Sequence, residues 1–373
     1  MRYASWIITF IIIGLVYFAL KDVLMKKIKK PAAKVIIGIV KFLLALAMAL
    51  GTIAIDIAFF WKLGRPLCIL YIFMLCDVFA DAICGILYLI PAIKAGAQAD
   101  EKTWYRVRRI FPMICSLVFF IYGTINMQNV YQVDLTYTSD KLAGNHDFVY
   151  MADIHAGMAQ DPEVFSEVID EIEALNPEFV VLGGDVVDEY TKKDEMEQVF
   201  DTIGKLTMPV YYVYGNHDRQ ALARLARGEK AFTEEELVAA MEKNGITILK
   251  DEWTYFSDDL LIVGRQDMSC DDRIPSDELE VPETDAFVLN LDHQPSEFEE
   301  SARWNADLQL SGHIHAGQLF PLQIVYRLIG IKTYDEYTDG DRVLYVSAGE
   351  SGWNYPFRTE EHCMYNYIHL VAE

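Results

Sequence analysis

Four long apolar runs crowd the first 130 residues, at roughly 5–20, 35–61, 66–93 and 110–130. Each approaches or exceeds the ~20 residues that a helix needs to cross a hydrocarbon core about 30 Å thick. Within such a core the backbone amides must be satisfied inside their own segment, so four transmembrane helices are expected. The first run also has the length of a signal peptide. No small-x-small cleavage site follows it, however, and its heavier positive charge lies after the apolar stretch, so it reads as a span.

Charge divides the chain at the same place. Residues 1–130 carry fifteen Lys and Arg against six Asp and Glu, whereas residues 131–373 carry seventeen against 49. The two parts are therefore about +9 and −32, which sets a transmembrane domain, 1–130, before a soluble domain, 131–373. A surface that acidic repels phosphate backbones, so nucleic acid is not expected as a partner. The connector KDVLMKKIKKPAAK has six lysines and KAGAQADEKTWYRVRR five basic residues, against two in the intervening KLGR. The positive-inside rule then puts the first and third connectors in the cytoplasm and the soluble part outside it.

Asp56, Asp77 and Asp81 fall inside the apolar runs, with Asp77 and Asp81 one helical turn apart. Buried carboxylates in a membrane are costly. They either hold the bundle together by bonding to a neighbouring helix or line a functional polar track. Of six cysteines, Cys68, Cys76, Cys84 and Cys115 lie in apolar surroundings, as small hydrophobes do. Cys270 and Cys363 form no CxxC pair, and the sequence leaves open whether they join.

Beyond residue 130 short β-rich runs alternate with amphipathic helices. FVYMAD leads to DPEVFSEVIDEIEAL, in which Asp161 suits a cap, Pro162 the first turn, and Val164, Phe165, Val168, Ile169, Ile172 and Leu175 one face. FVVLGG, a second helix with Met196, Val199, Phe200, Ile203 and Leu206 inward, and PVYYVYG continue an α/β series. TEEELVAAMEK has the capping-box form, Thr233 with Glu236. The strands ITILKD, WTYFS, DLLIVG, AFVLNLD, DLQLSG and RVLYVSAG then argue for a second sheet in the same domain.

Polar motifs close five of these strands. FVYMADIH ends in Asp153 and His155, FVVLGGDVVD in Asp185 and Asp188, and VYYVYGNHD in Asn216, His217 and Asp218. FVLNLDH ends in His293, and LQLSGHIHAGQ in His313 and His315. Ligand sites of α/β sheets form at the carboxyl ends of strands. If the backbone stays extended, residues i and i+2 point the same way roughly 6.6 Å apart, so Asp153/His155 and His313/His315 converge on one cavity. Such a mix of carboxylate, amide and imidazole suits two divalent ions about 3.5–4 Å apart, bridged by Asp185, whose preceding Gly183 and Gly184 permit close backbone approach. A lone histidine after a strand is usually structural. Five of the chain's eight in such motifs point to metal instead.

The ordered series DxH, GDxxD, GNHD, H and GHxH over about residues 148–350 resembles the calcineurin-like metallophosphoesterase superfamily, and GHIHAGQ with the preceding spans resembles its bacterial membrane-associated branch. The resemblance implies two packed β-sheets flanked by helices, an α/β sandwich after a four-helix transmembrane bundle. It gives one divalent ion (Mn, Zn or Fe) to Asp153, His155, Asp185 and His315, and a second to Asp185, Asn216, His293 and His313. His217 is left to stabilise the transition state or protonate the leaving oxygen, with Asp218 orienting its ring. Arg358 and His362, in the C-terminal FRTEEHCMYNYIHL, receive no role.

The expected reaction is hydrolysis of a phosphate mono- or diester or a pyrophosphate by a metal-bridging hydroxide. A site tethered just after Val130 favours lipid-linked phosphates. The aromatic SGWNYPFR suits a lid or a membrane-touching loop, or plain interfacial anchors. A different class of function, a transporter or sensor bundle carrying a metal-dependent outer binding module, is motivated by Asp77 and Asp81. GNHD also occurs a second time, at Gly144 to Asp147, but there it precedes its strand, at the edge away from the other motifs, where these are ordinary turn residues.

Overall fold

The computed structural model describes residues 2–28, 30–53, 58–157 and 159–373. They form two compact units, Met1–Ile125 and Asn126–Glu373.

The first unit is helical: α1 (Arg2–Lys27), α2 (Pro31–Ile53), α3 (Ala58–Leu87), α4 (Pro91–Ala99) and α5 (Glu101–Asn126), the last running to its boundary. Among the described residues, four stretches are long and apolar enough to cross a membrane: Ala4–Met25, Ala32–Gly51, Leu63–Leu87 and Glu101–Asn126. The third connector is itself helical. α4 fills part of it, and α5 begins nine residues before the apolar run expected at 110. Large aliphatic residues such as Ile12, Leu15, Ile36 and Val118 point outward, as lipid contact requires, while Phe10, Phe73 and Phe120 stack between helices.

Asp77 is fully buried. It accepts from Tyr17 Oη at 3.0 Å and Lys41 Nζ at 2.6 Å, and also from Lys21 Nζ. Asp81 pairs with Arg108 at 3.0 Å. Both carboxylates therefore join helices, Asp77 tying α3 to both α1 and α2. Asp56 lies outside the described residues.

The second unit holds, among the described residues, two six-stranded sheets. The strands are β1 (Val130–Ser139), β2 (His146–Met151), β3 (Phe179–Leu182), β4 (Val210–Tyr212), β5 (Ile246–Ile248), β6 (Glu252–Ser257), β7 (Leu260–Gly264), β8 (Phe287–Leu291), β9 (Leu308–Ser311), β10 (Asp335–Asp339), β11 (Arg342–Val346) and β12 (Cys363–Ala372). The first sheet runs β1-β12-β2-β3-β4-β5 and the second β10-β11-β9-β8-β7-β6. β2 to β5 are parallel, as are β7, β8 and β9, so their carboxyl ends gather in each sheet.

Between the sheets lie Phe148, Tyr150, Phe179 and Val181 of one and Ile262, Leu289, Leu291 and Leu310 of the other, all almost fully buried. The outer face of the first sheet is covered by α6 (Pro162–Leu175), α7 (Lys193–Ile203) and α9 (Glu234–Lys243); the short α8 (Ala223–Ala226) lies between α7 and α9 in the chain. Asp161 caps α6 by accepting from Glu163 N, and both bonds of the Thr233/Glu236 capping box form. The heptapeptide helix α10 (Leu322–Leu328) follows β9. All six cysteines are free thiols, Cys363 buried and Cys270 partly exposed. β12 is a strand that the alternation of polar and apolar letters did not announce. Its first half, Cys363–Asn366, is buried on both faces between β1 and β2, where strands lose their period-two pattern.

Candidate metal centre

The strands deliver their motifs to one place. Donor atoms of Asp153, His155 and His315 lie within 4.8 Å of one another, as do those of Asp185, His293 and His313. Asp185 Oδ2 is 3.8 Å from His155 Nε2 in the first group and 2.9 Å from His293 Nε2 in the second, the position of a shared carboxylate. His155 Nε2 and His315 Nε2 face each other at 3.2 Å. Asn216 sits at the same edge, between Gly215 and a His217 N–H that donates to Asp185 Oδ1 at 2.8 Å.

Strand alternation is not what aims these side chains. β2 stops at Met151 and β9 at Ser311, and Asp153, His155, Asp185, His313 and His315 all have left-handed backbones, with φ between 46° and 73°. Non-glycine residues avoid this region unless the surroundings impose it, and such strain gathers at functional sites. The expectation of an extended i, i+2 pair is therefore corrected: tight turns beyond the strand ends bring the pairs together. Gly184, at φ 92°, makes one of these turns possible, because a Cβ there would come within 2.7 Å of both Gly215 N and His293 Nδ1.

The residues present fit a pair of divalent ions. Asp185 Oδ2, His293 Nε2 and Asn216 Oδ1 are buried polar atoms without a hydrogen-bond partner of proper geometry, an arrangement that protein interiors avoid. Burial lowers the pKa of His313 to about 4 and holds that of His315 well below the ordinary imidazole value, so both rings are neutral and present lone pairs. Burial also disfavours charge on His293, yet Asp185 and Asp153 outweigh it and raise its pKa, so a proton and a cation compete for this pair. Mixed carboxylate, amide and imidazole donors accommodate Mn, Fe or Zn.

His217 stands beside this cluster, with its ring centroid 5.4 Å from that of His155 and stacked on Trp353 at 5.2 Å. Its Nδ1 is held by Glu189 Oε2 at 2.6 Å, not by Asp218. Asp218 instead accepts from three backbone amides, Asp185 N at 2.9 Å, Gly215 N at 2.7 Å and Val187 N at 3.1 Å, and so pins two strand-end turns together. The sequence reading gave the orienting role to the adjacent carboxylate, whereas the fold gives it to one 28 residues away. Burial opposes charging of His217, but Glu189 and Asp185 raise its pKa to about 10.

SGWNYPFR is neither lid nor membrane anchor by exposure: Trp353, Tyr355 and Phe357 are buried, and Trp353 forms a wall of the site. Arg358 was passed over and is fully buried. It donates to the carbonyls of His315 at 3.0 Å, Ser351 at 2.8 Å and Ala348, and to Glu360 O, so it fixes the backbone of a predicted ligand. Asp188 Oδ2 lies 3.5 Å from His155 Nδ1. Its GDxxD spacing was the available signal, whereas for Arg358 and Glu189 nothing in the local sequence marks the contact. The other GNHD lies at the amino end of β2. There His146 bridges Glu178 at 2.8 Å and Asp259 at 3.2 Å, Asp147 takes His369 at 2.6 Å, and Asn145 accepts from Ala372 N.

Residues 146–317 match the family model of calcineurin-like phosphoesterases. With their ordered strand-end motifs, residues 146–317 are thus similar to the calcineurin-like metallophosphoesterase superfamily. An uncharacterized metallophosphoesterase of Helicobacter pylori is 27% identical over 229 residues, 59% of this chain and 58% of the relative. A transmembrane protein with metallophosphoesterase domain from Danio rerio is 25% identical over 290 residues, 72% of this chain and 64% of the relative. This chain thus spans about three fifths of these relatives' lengths, and they come from an animal as well as a bacterium. Among solved structures, a dimetal phosphatase from Danio rerio superposes with a TM-score of 0.35 at 10% identity, covering 55% of this chain and 87% of the other.

Proposed function

We propose that the chain is a membrane-anchored phosphoesterase that hydrolyses phosphate mono- or diester or pyrophosphate bonds with two divalent ions. The observation that carries the reading is the carboxylate of Asp185 shared between two imidazole-rich donor groups, with the cationic His217 beside them. Asp153, His155, Asp185 and His315 would hold one ion, and Asp185, Asn216, His293 and His313 the other. Bound there, the pair supplies Lewis acidity toward phosphoryl oxygens and a water activated near neutral pH.

The chain's own groups do the rest. With Nδ1 committed to Glu189, His217 presents Nε2 to the phosphoryl group and passes its proton to the departing oxygen. Trp353 covers one face of that ring, fixing its plane and excluding water. Loop charge favours an extracytoplasmic catalytic unit, and tethering beside the bilayer favours lipid-linked phosphoesters. The test is hydrolysis of aryl phosphate mono- and diesters by the purified full chain with Mn²⁺. Turnover should vanish with a chelator and return with metal, and inactivity on both esters across Mn²⁺, Zn²⁺ and Fe²⁺ would sink the reading.

A further inference from the structure

Residues 308–334 contain no Asp or Glu, in a soluble part of net charge about −32. Their second half carries α10 and the turn after it. Leu322 and Tyr326 face inward, while Ile324, Leu328, Ile329 and Ile331 are 51, 81, 65 and 38% exposed. Leaving apolar area in water forgoes about 25 cal/mol per Å², and a soluble surface seldom gathers four large aliphatics in one stretch without a contact to make. Arg327, in an exposed ion pair with Asp335, and the partly exposed Lys332, paired with the exposed Glu299, flank the tip. Exposed pairs of this kind contribute little and yield readily to other anions.

The position of this prow within the unit says what covers it. In the first turn of α10, Gln323 N donates to Glu360 Oε2 at 2.6 Å. The next residue, Glu361, accepts through its carbonyl from Asn126 Nδ2 at 2.8 Å, and Asn126 ends the candidate span Glu101–Asn126. Arg358, two residues before Glu360, holds His315 O. Residues 358–361 thus bring Asn126, the root of the prow and the backbone of His315 to one place. α10 is about 10 Å long, so its tip stays near that place. We infer that the prow docks into the lipid interface of the bilayer that the chain itself crosses, its aliphatic tip among acyl chains and Arg327 and Lys332 at the lipid phosphates. Resting on the phosphoesterase reading, a second consequence follows: the scissile phosphate is that of a lipid held in the bilayer surface.

The test uses the full chain in nanodiscs of phosphatidylcholine and phosphatidylglycerol, with the partly exposed Cys115 and Cys270 replaced by serine. An environment-sensitive fluorophore is placed at Leu328→Cys or, as control, at Gly144→Cys, where a side chain meets nothing within 4 Å. Docking predicts blue-shifted emission and quenching by nitroxide-bearing lipids at position 328 and neither at 144. Equal, water-like emission at both sites would overturn it. So would a shielded but unquenched probe at 328 that reverts on dilution, since the cover would then be a second copy of the chain. Leu328→Asp with Ile329→Asp should leave aryl phosphate hydrolysis within twofold while slowing cleavage of a bilayer-embedded phosphodiester at least tenfold. Equal slowing of both, or of neither, refutes the substrate consequence, and inactivity of the parent chain on all esters refutes the phosphoesterase reading while the quenching result stands.

Discussion

At the scale of single residues, two histidines in identical tetrapeptides separate by what they touch. His217 meets the donor cluster and Glu189, whereas His146 is clamped between Glu178 and Asp259. His217→Ala should lower kcat by roughly 10²–10⁴-fold, the range of a lost general acid. His146→Ala should leave kcat within about twofold and lower unfolding free energy by ~1–3 kcal/mol through the buried partners it strands, read from initial rates and denaturant titration. Glu189→Gln keeps a hydrogen-bond partner but removes the charge that raises the His217 pKa. The expected outcome is a smaller loss of kcat and a basic limb of the pH–rate profile displaced to lower pH. An unmoved limb would show that Glu189 does not set the proton on His217.

At the scale of elements, what the strands and helices share is local encoding. α6, α7 and α9 form where apolar residues recur at helical spacing, and their caps fall on Asp161 and Thr233 as the letters suggest. β12 escaped because its first half, buried on both faces, needs no alternation, and its partners β1 and β2 are more than 200 residues away in sequence. In the helical unit, Asp77 is the element-joining group. Asp77→Asn leaves Lys41 without its carboxylate and Lys21 with only Asp81, at 3.9 Å, and breaking such a pair destabilises by about 3–5 kcal/mol in soluble proteins. A clear fall in the melting temperature of the detergent-solubilised chain is expected. Undiminished thermal stability with lost hydrolysis in membranes would instead make the bundle a participant in function.

At the scale of the whole molecule, the two sheets of the second unit are held by more than their apolar interface. Asp259, in the turn between β6 and β7, accepts from Ala143 N at 2.7 Å and Gly144 N at 3.2 Å before β2, and from His146. Burial opposes its charge, yet the Ser257 hydroxyl, Ala143 N and His146 hold its carboxyl well below the usual range. A depressed carboxylate stabilises fully above its unfolded pKa of about 3.9, and that stability is lost as pH falls toward the folded value. Acid unfolding followed by tryptophan fluorescence should therefore steepen below about pH 4, and Asp259→Asn should flatten that limb while lowering stability at neutral pH.

By itself the sequence determined the division into an apolar cationic part and an acidic α/β part, the strands that end in polar motifs, and the residues those motifs offer as candidate donors, because each rests on composition or on neighbours a few residues apart. Tertiary structure alone decided which carboxylate serves His217, that left-handed turns and not strand pleats converge the donors, that SGWNYPFR is buried against the site, and that Arg358 braces His315. Each of these depends on a contact across tens to hundreds of residues, and only packing selects among the chemically equivalent groups that could make it.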